Sequence, residues 1–216
     1  MRSDWVPYSA SALVVGAMSL VFATLLNPST GGDSTVETLE VASESGFRWL
    51  AMSVMFFLAS FALTLGLPVI LTLFERRGRK LGLTGVALFT LGAIGTCGYA
   101  MLLVFFRALV AADALNAHPL EEAAKDTGLV WFLYVWIGGF YGGLLLIAIG
   151  LLLAKTTPRW VPIVFIVFVV MLPVSSQLGR VGMAVQTMAL AIAFTGVAMA
   201  AVSGETQRAL RSEPVF

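Results

Sequence analysis

The chain has 216 residues, of which 59% are hydrophobic and 12% are charged, and its net charge is +1. Because a soluble domain carries about 25% charged residues, this composition excludes an ordinary soluble protein and predicts one that crosses a membrane several times. The net charge gives no general attraction to nucleic acid. One cysteine and one histidine exclude a disulfide framework, a cysteine-based metal site and bis-histidine haem ligation by this chain alone. We therefore expect no metal and no cofactor.

Long apolar runs predict an all-α fold, a bundle of six transmembrane helices that forms a single membrane domain over residues 1–216. The spans are predicted at about residues 6–26, 49–74, 81–115, 129–154, 160–178 and 183–203. Each is long enough, at about 1.5 Å per residue, to cross a hydrocarbon core of about 30 Å. Outer loops at residues 27–48 and 116–128 and a cytoplasmic tail at residues 204–216 complete the chain.

The basic residues predict the orientation of the bundle. If the segment "ERRGRK" at residues 75–80 is cytoplasmic, both termini are cytoplasmic too, and the inner side carries more Lys and Arg than the outer side. The inner residues are Arg2, Arg76, Arg77, Arg79, Lys80, Lys155, Arg159, Arg208 and Arg211, and the outer residues are Arg48, Arg107, Lys125 and Arg180. We therefore expect a multi-pass protein of the cell membrane.

Two outer segments predict short helices that lie over the outer mouth of the bundle. In "STVETLEVA", Ser34 and Glu37 have the spacing of a capping box, which typically begins a helix. In "HPLEEAAKD", Pro119 suits a first helical turn, and Glu121 precedes Lys125 by four residues, a favourable surface pair.

Charged residues near the end of the third span suggest one kind of binding site. Arg107 falls at the outer membrane boundary, level with Arg48 and Arg180 from other segments, and Gln177 and Gln186 are nearby in sequence to Arg180. Arginine side chains suit phosphate or carboxylate, so these residues predict an outward-facing polar pocket. Alternatively, the arginines extend to lipid headgroups or pair with acidic residues of the loops.

The fourth span contains features of both packing and ligand binding. Trp131, Tyr134 and Tyr141 are candidates to face the apolar part of a ligand, although an interfacial aromatic belt also explains such residues. Two overlapping GxxxG patterns, formed by Gly138, Gly139, Gly142 and Gly143, predict close helix packing. The partner helix belongs either to the same chain, to a second copy in a homodimer or to another membrane protein, and the glycines equally leave room for a ligand.

The stretch "VASESGFRWLAMSVMFFLASFALTLGL" at residues 41–67 resembles the small six-span bacterial membrane proteins of a family of unknown function. In that family a short Ser-Glu-x-x-Phe-Arg-like stretch leads into the second span, and the resemblance implies a six-helix fold without an activity. In size and helical membrane body the chain is also similar to integral-membrane terpene cyclases. That similarity implies an acidic side chain as catalyst, for which Asp113 and Glu121 are the candidates.

The leading hypothesis is a non-enzymatic membrane protein that binds or moves an amphipathic, lipid-like molecule, with membrane lipids as its other partners. No Asp, Glu or Lys falls within the central third of any span, which disfavours an ion-coupled transporter. Two alternatives remain open. One is a membrane enzyme that acts on a lipid or isoprenoid, and the other is an accessory subunit of a larger membrane complex.

Overall fold

The computed structural model of the chain describes residues 5–28, 34–74, 78–115 and 117–212. Helices occupy most of these residues, and a five-residue π-helical segment, Gly138–Gly142, joins two of them. The helices are α1 (Trp5–Leu26), α2 (Thr35–Glu44), α3 (Gly46–Leu71), α4 (Arg79–Ala111), α5 (Ala117–Ala124), α6 (Thr127–Ile137), α7 (Gly143–Ala154), α8 (Trp160–Val170), α9 (Leu172–Gln177) and α10 (Gly179–Ser212). The prediction of an all-α helical bundle is confirmed for this part of the chain.

Within the described part of the chain, five helical segments are long and apolar enough to cross a membrane, judged by length and composition. They are Trp5–Leu26, Gly46–Leu71, Arg79–Ala111, Thr127–Ala154 and Gly179–Gly204. They coincide, within a few residues, with the first four and the sixth predicted spans, which supports a multi-pass membrane protein. Arg2, Glu75, Arg76 and Arg77 lie outside the described residues, as do the side chains of Arg208 and Arg211.

The fifth predicted span is not one continuous helix. Its apolar part, α8, has 11 residues, which span about 16 Å and are too few to cross a bilayer alone. Pro173 explains the interruption, because it has no N–H to donate to the carbonyl four residues earlier. The chain turns at Met171 and begins α9, where Pro173 lies in the first turn and needs no intrahelical donor.

Six helices form a closed ring around a shared core. Following the contacts, α1 packs on α3, α3 on α4, α4 on α7, α7 on α8, α8 on α10, and α10 back on α1. Large side chains with almost no exposed surface fill the centre, including Phe89, Phe165, Phe194, Leu144 and Leu190. The C-terminal end of α1 and the N-terminal end of α3, which α2 connects, lie on the same side of the bundle.

Glycines allow the closest helix contact, between α4 and the rod formed by α6, the π segment and α7. A methyl group added to Gly92 would lie 2.3 Å from the backbone nitrogen of Phe140, and one added to Gly143 would lie 2.4 Å from that of Phe89. Such distances are impossible for real atoms, so this contact requires glycine at both positions. Close backbone approach through small residues is the usual way in which membrane helices associate.

Pro68 interrupts the hydrogen bonding of α3, and a side chain from α1 compensates. The hydroxyl of Ser9 donates to the carbonyl of Leu65 at 2.9 Å and accepts from the N–H of Val69 at 3.3 Å. These two backbone groups would pair with each other in an uninterrupted helix. The buried hydroxyl therefore bridges the opened turn and ties α1 to α3 at the same point.

Both short helices predicted in the outer segments are present. Ser34 and Glu37 form the capping box at the start of α2, with the Ser34 N–H donating to Glu37 Oε2 at 2.7 Å and the Glu37 N–H donating to Ser34 Oγ at 3.3 Å. Ala42 of α2 is buried in a small core with Trp49 of α3 and Leu103 of α4. The 33 residues of α4 span about 50 Å, so this helix exceeds the thickness of a hydrocarbon core.

Candidate functional site: an aromatic cavity inside the helix ring

A cavity of about 350 Å³ lies inside the bundle. It is on the side where α2 connects the C-terminal end of α1 to the N-terminal end of α3. Its wall includes residues of α1, α3, α4, α6, the π segment, α8, α9 and α10. We call it the aromatic cavity, because six of its lining residues are Phe, Tyr or Trp: Phe56, Tyr99, Trp136, Phe140, Tyr141 and Phe168. Its volume falls at the lower end of the range of small-molecule sites, which is about 300–1,000 Å³.

The first aromatic group joins three helices. The rings of Tyr99 and Trp136 stack with their centroids 4.7 Å apart, and Phe56 meets Tyr99 edge-on at 5.5 Å. The indole N–H of Trp136 donates to the hydroxyl of Thr96 at 3.0 Å. That hydroxyl in turn donates to the carbonyl of Gly92. These contacts fix one wall of the cavity and leave ring faces towards its interior.

The second aromatic group lines another part of the cavity and consists of Phe140, Tyr141 and Phe168. Tyr141 and Phe168 stack with centroids 5.4 Å apart and ring planes at 9°. Phe140 contacts both rings, at 5.6 Å from Tyr141 and 6.4 Å from Phe168. Phe140 and Tyr141 both belong to the five-residue π segment. This segment shifts the register of the helix, and both side chains line the cavity.

Gln186 forms the polar end of the cavity and is buried, with 4% of its surface exposed. Its Nε2 donates to the carbonyl of Phe168 at 2.9 Å, and its Oε1 lies 2.6 Å from the Ser175 hydroxyl. The Phe168 carbonyl needs such a donor because α8 ends two residues later, where helical carbonyls lose their intrahelical partners. The Tyr141 hydroxyl also interacts with the Gln186 side chain.

The three arginines predicted to bind an anionic head do not line this cavity. Arg107 Nε donates to the carbonyl of Gly46 at 2.9 Å, which ties α4 to the start of α3. Arg180 donates from one terminal nitrogen to the carbonyl of Pro28 at 3.0 Å, and its buried Nε has no hydrogen-bond partner among the described residues. Arg48 is exposed. These residues lie above the cavity, since Gln186 is six residues, or about 9 Å of helix rise, deeper than Arg180.

The other predicted site residues divide between the cavity and the surface. Gln186 and Tyr141 meet at the cavity, as described above. Gln177, Trp131 and Tyr134 are exposed, with 65% of Trp131 and 67% of Tyr134 accessible. Asp113 and Glu121, the candidate catalytic acids, are also exposed and are not part of the cavity wall. The described residues contain no group of three or more His, Cys, Asp or Glu side chains that could hold a metal ion.

The four glycines of the fourth span fall on two different faces. Gly139 and Gly143 pack against α4, so the second GxxxG pair makes a contact within the chain. Gly138 and Gly142 have open space where a side chain would be, with no atom within 4 Å. α6 itself has no buried residue and packs on α4 and the π segment, which leaves one side of the cavity wall thin.

Several cavity residues carry no signal in the sequence that separates them from their neighbours. Phe56, Tyr99 and Phe168 lie in predominantly apolar runs, because the lipid-facing and core-facing sides of a membrane helix share the same preference. Phe140 had one usable signal, its position inside the glycine cluster at residues 138–143. Thr96 is a polar residue within a span, but such hydroxyls commonly bond to their own helix.

The helix ring and its internal cavity define a membrane-type helical bundle with an aromatic cavity between its helices. No protein family, curated protein or solved structure matches this chain. The chemistry of the cavity therefore provides the basis for a functional proposal.

Proposed function

We propose that this chain is a six-span integral membrane protein that binds or moves an amphipathic, lipid-like ligand within the aromatic cavity. The observation that carries the proposal is the cavity itself, which lies between α1, α3, α4, α6, α8, α9 and α10 and is lined mainly by aromatic and aliphatic side chains. Sites for small molecules are typically concave and apolar, with a few polar groups that fix orientation. In this proposal α8, Met171 and α9 together make the remaining membrane crossing.

The ligand reaches the cavity from the lipid phase, between α6 and α9. Support comes from α6, which rests on α4 and buries none of its own residues, whereas α9 packs on α8 and α10. The ring is therefore tightly closed where α7 meets α8 and looser where α6 passes α9. An apolar ligand that is already dissolved in the bilayer needs no aqueous passage to enter there.

The orientation places both termini in the cytoplasm of the cell and α2 and α5 at the outer interface. Arg79, Lys80, Lys155 and Arg159 support it, because they lie at helix ends opposite the cavity. A membrane-impermeant maleimide applied to intact cells tests it, in a Cys97→Ala background. A cysteine replacing Ser43 of α2 should react, and one replacing Lys155 should react only after permeabilisation. The reverse pattern would show that the bundle is inverted.

Native mass spectrometry of the gently solubilised protein tests ligand binding. Thr187 lines the cavity, and its hydroxyl bonds only to carbonyls of its own helix, so Thr187→Trp fills the space without removing a contact to another helix. Met188 is adjacent but exposed, so Met188→Trp is the matched control. We expect a co-purifying lipid-like molecule in the wild type and the control, and its loss from Thr187→Trp.

Equal retention of the molecule by both variants would contradict binding in the cavity. Arg107→Ala and Arg180→Ala extend the experiment to the earlier hypothesis of an arginine pocket. Loss of the molecule in these two variants, with retention in Thr187→Trp, would place its binding site at the arginine level instead.

One observation favours an accessory subunit as the second candidate function. The uncovered pair Gly138 and Gly142 offers a flat helix face of the kind on which another membrane helix packs closely. Gly138→Leu should then disrupt assembly with a partner and leave the isolated chain stable. The enzyme alternative, with Asp113 or Glu121 as the acid, has no comparable support from the geometry.

A further inference from the structure

The polar end of the aromatic cavity has a fixed arrangement. Gln186 is held from both ends of its amide, because Nε2 bonds to the Phe168 carbonyl and Oε1 lies against the Ser175 hydroxyl. The side chain therefore cannot turn its amide towards a ligand without giving up a buried hydrogen bond. Tyr141 is different, since its phenol lines the cavity and contacts Gln186 only through the hydroxyl.

The threonine and tryptophan side chains of the wall are less available as donors. The hydroxyl of Thr24 donates to the carbonyl of Leu20, that of Thr96 to Gly92 and that of Thr187 to Met183, and the indole N–H of Trp136 donates to Thr96. The phenols of Tyr99 and Tyr141 are the other hydroxyls on the wall. Tyr141 is the one that lies at the polar end, beside Gln186, and is therefore the group placed to donate a hydrogen bond to the polar group of a bound molecule.

The charge of the wall restricts the ligand further. Among the described residues, none that lines the cavity is Asp, Glu, Lys, Arg or His. A carboxylate, phosphate or ammonium group inside it would lose its hydration and find no opposite charge, which is strongly unfavourable. The polar group of the ligand must therefore be uncharged.

The shape of the wall indicates the body of the ligand. A volume of about 350 Å³ lies at the lower end of the range of small-molecule sites, about 300–1,000 Å³. Two stacked ring pairs, Tyr99 with Trp136 and Tyr141 with Phe168, are part of the wall and add flat ring faces to it. Planar, unsaturated or ring-containing groups make the best contacts with such faces.

Resting on the proposed function, we infer that the ligand is a neutral lipid of isoprenoid-like type, with an unsaturated or ring-containing body and one uncharged oxygen. That oxygen accepts a hydrogen bond from Tyr141, which makes Tyr141 the residue that selects the ligand. The acidic and phosphorylated derivatives of the same body are rejected.

Three probes with one carbon skeleton test this inference. Retinol carries a hydroxyl, retinoate carries a carboxylate, and anhydroretinol is a hydrocarbon. Binding of tritiated retinol to the full chain in phosphatidylcholine nanodiscs is measured against empty nanodiscs, and the other two probes serve as competitors. In the wild type, retinol should bind at least about tenfold more tightly than retinoate, because the carboxylate must lose its charge or its hydration.

Tyr141→Phe removes only the hydroxyl and keeps the ring that stacks on Phe168. We expect its affinity for retinol to fall by about 2- to 12-fold, the loss of one neutral hydrogen bond, while its affinity for anhydroretinol stays unchanged. The matched control is Tyr134→Phe, which removes a hydroxyl from an exposed tyrosine of α6 and should leave the binding of both probes unchanged.

The outcomes separate this inference from the proposed function. If the wild type binds all three probes equally, or Tyr141→Phe weakens retinol and anhydroretinol alike, the role of Tyr141 is overturned and the proposed function stands. If the wild type takes up none of the probes above empty nanodiscs, this inference is overturned, and the co-purifying molecule in the wild type and its loss from Thr187→Trp decide the proposed function separately.

Discussion

Trp136 donates its indole N–H to the hydroxyl of Thr96 at 3.0 Å, and this bond is the main polar link between α6 and the helix ring. No residue of α6 is fully buried, and Trp136 is half-buried where it contacts α4. Stacking of Trp136 on Tyr99 adds to the link. Trp136 therefore joins α6 to the wall of the aromatic cavity through both a hydrogen bond and a ring contact.

Trp136→Phe should lower the free energy of unfolding by about 0.5–1.5 kcal/mol, because it removes one interhelical hydrogen bond and leaves the Thr96 hydroxyl with its own-helix carbonyl. The measurement is thermal or denaturant unfolding in a defined detergent. The matched control is Trp131→Phe in the same helix, at a position that is 65% exposed. Equal destabilisation by both substitutions would refute the anchoring role of Trp136.

Local sequence patterns predicted the parts of the fold that depend on local physics. The apolar runs located the long helices, and the spacing of Ser34 and Glu37 located α2, because a capping box satisfies backbone groups within one turn. The interruption at Met171 escaped prediction, although Pro173 is visible in the sequence. A proline removes a hydrogen bond wherever it lies, but whether the helix bends or restarts depends on the neighbours that receive the freed carbonyls.

The candidate site was only partly predictable for a different reason. Counting residues placed Arg107 and Arg180 near the ends of their helices, where the structure has them, yet position along a helix does not determine which way a side chain points. Both arginines bond to backbone carbonyls at the ends of neighbouring helices, Gly46 and Pro28. Gln186 was predicted because it lies near Arg180 in the sequence, and Tyr141 because it is one of the aromatic residues of the fourth span. Phe56 and Phe168 were not, because lipid and protein core favour the same apolar side chains.

Ser9→Ala should destabilise the bundle through the backbone of α3. The substitution leaves the Leu65 carbonyl and the Val69 N–H without their shared partner next to Pro68. We expect a loss of about 1–3 kcal/mol in the free energy of unfolding, the cost of buried backbone groups that lack a hydrogen bond. Ser11→Ala is the control on the same helix, since Ser11 is exposed.

A double-mutant cycle separates this bridge from simple packing of the serine. Pro68→Ala restores a backbone N–H and allows α3 to close its own hydrogen bonds. Ser9→Ala should therefore cost less in the Pro68→Ala background than in the wild type, with a coupling energy of about 1 kcal/mol. Additive costs would mean that Ser9 does not bridge the opened turn.

Gly92→Ala and Gly98→Ala should have opposite effects although both lie in α4. The methyl group at residue 92 would come within 2.3 Å of the Phe140 backbone, whereas nothing lies within 4 Å of a methyl group at residue 98. We expect Gly92→Ala to cost about 1–3 kcal/mol, because the two helices must move apart. Gly98→Ala should be neutral or stabilise by up to about 1 kcal/mol, because alanine favours the helix. Unfolding of the two purified variants in the same detergent measures the difference, and a similar loss in both would argue against the close contact.

Deletion of Gly138 should rotate α6 and abolish ligand binding while leaving the bundle folded. A π turn contains one residue more than an α turn, so removing one residue from Gly138–Gly142 restores α-helical hydrogen bonding. The helix before the deletion then turns by about 100° relative to α7. Trp136 would leave Tyr99 and Thr96, and the cavity would lose that wall.

Circular dichroism of the deletion variant should report unchanged helix content, and native mass spectrometry should report loss of the co-purifying molecule. Gly138→Ala keeps the chain length and has open space for its methyl group, so it should retain the molecule. If the deletion variant also retains it, the register shift at the π segment has no part in forming the site.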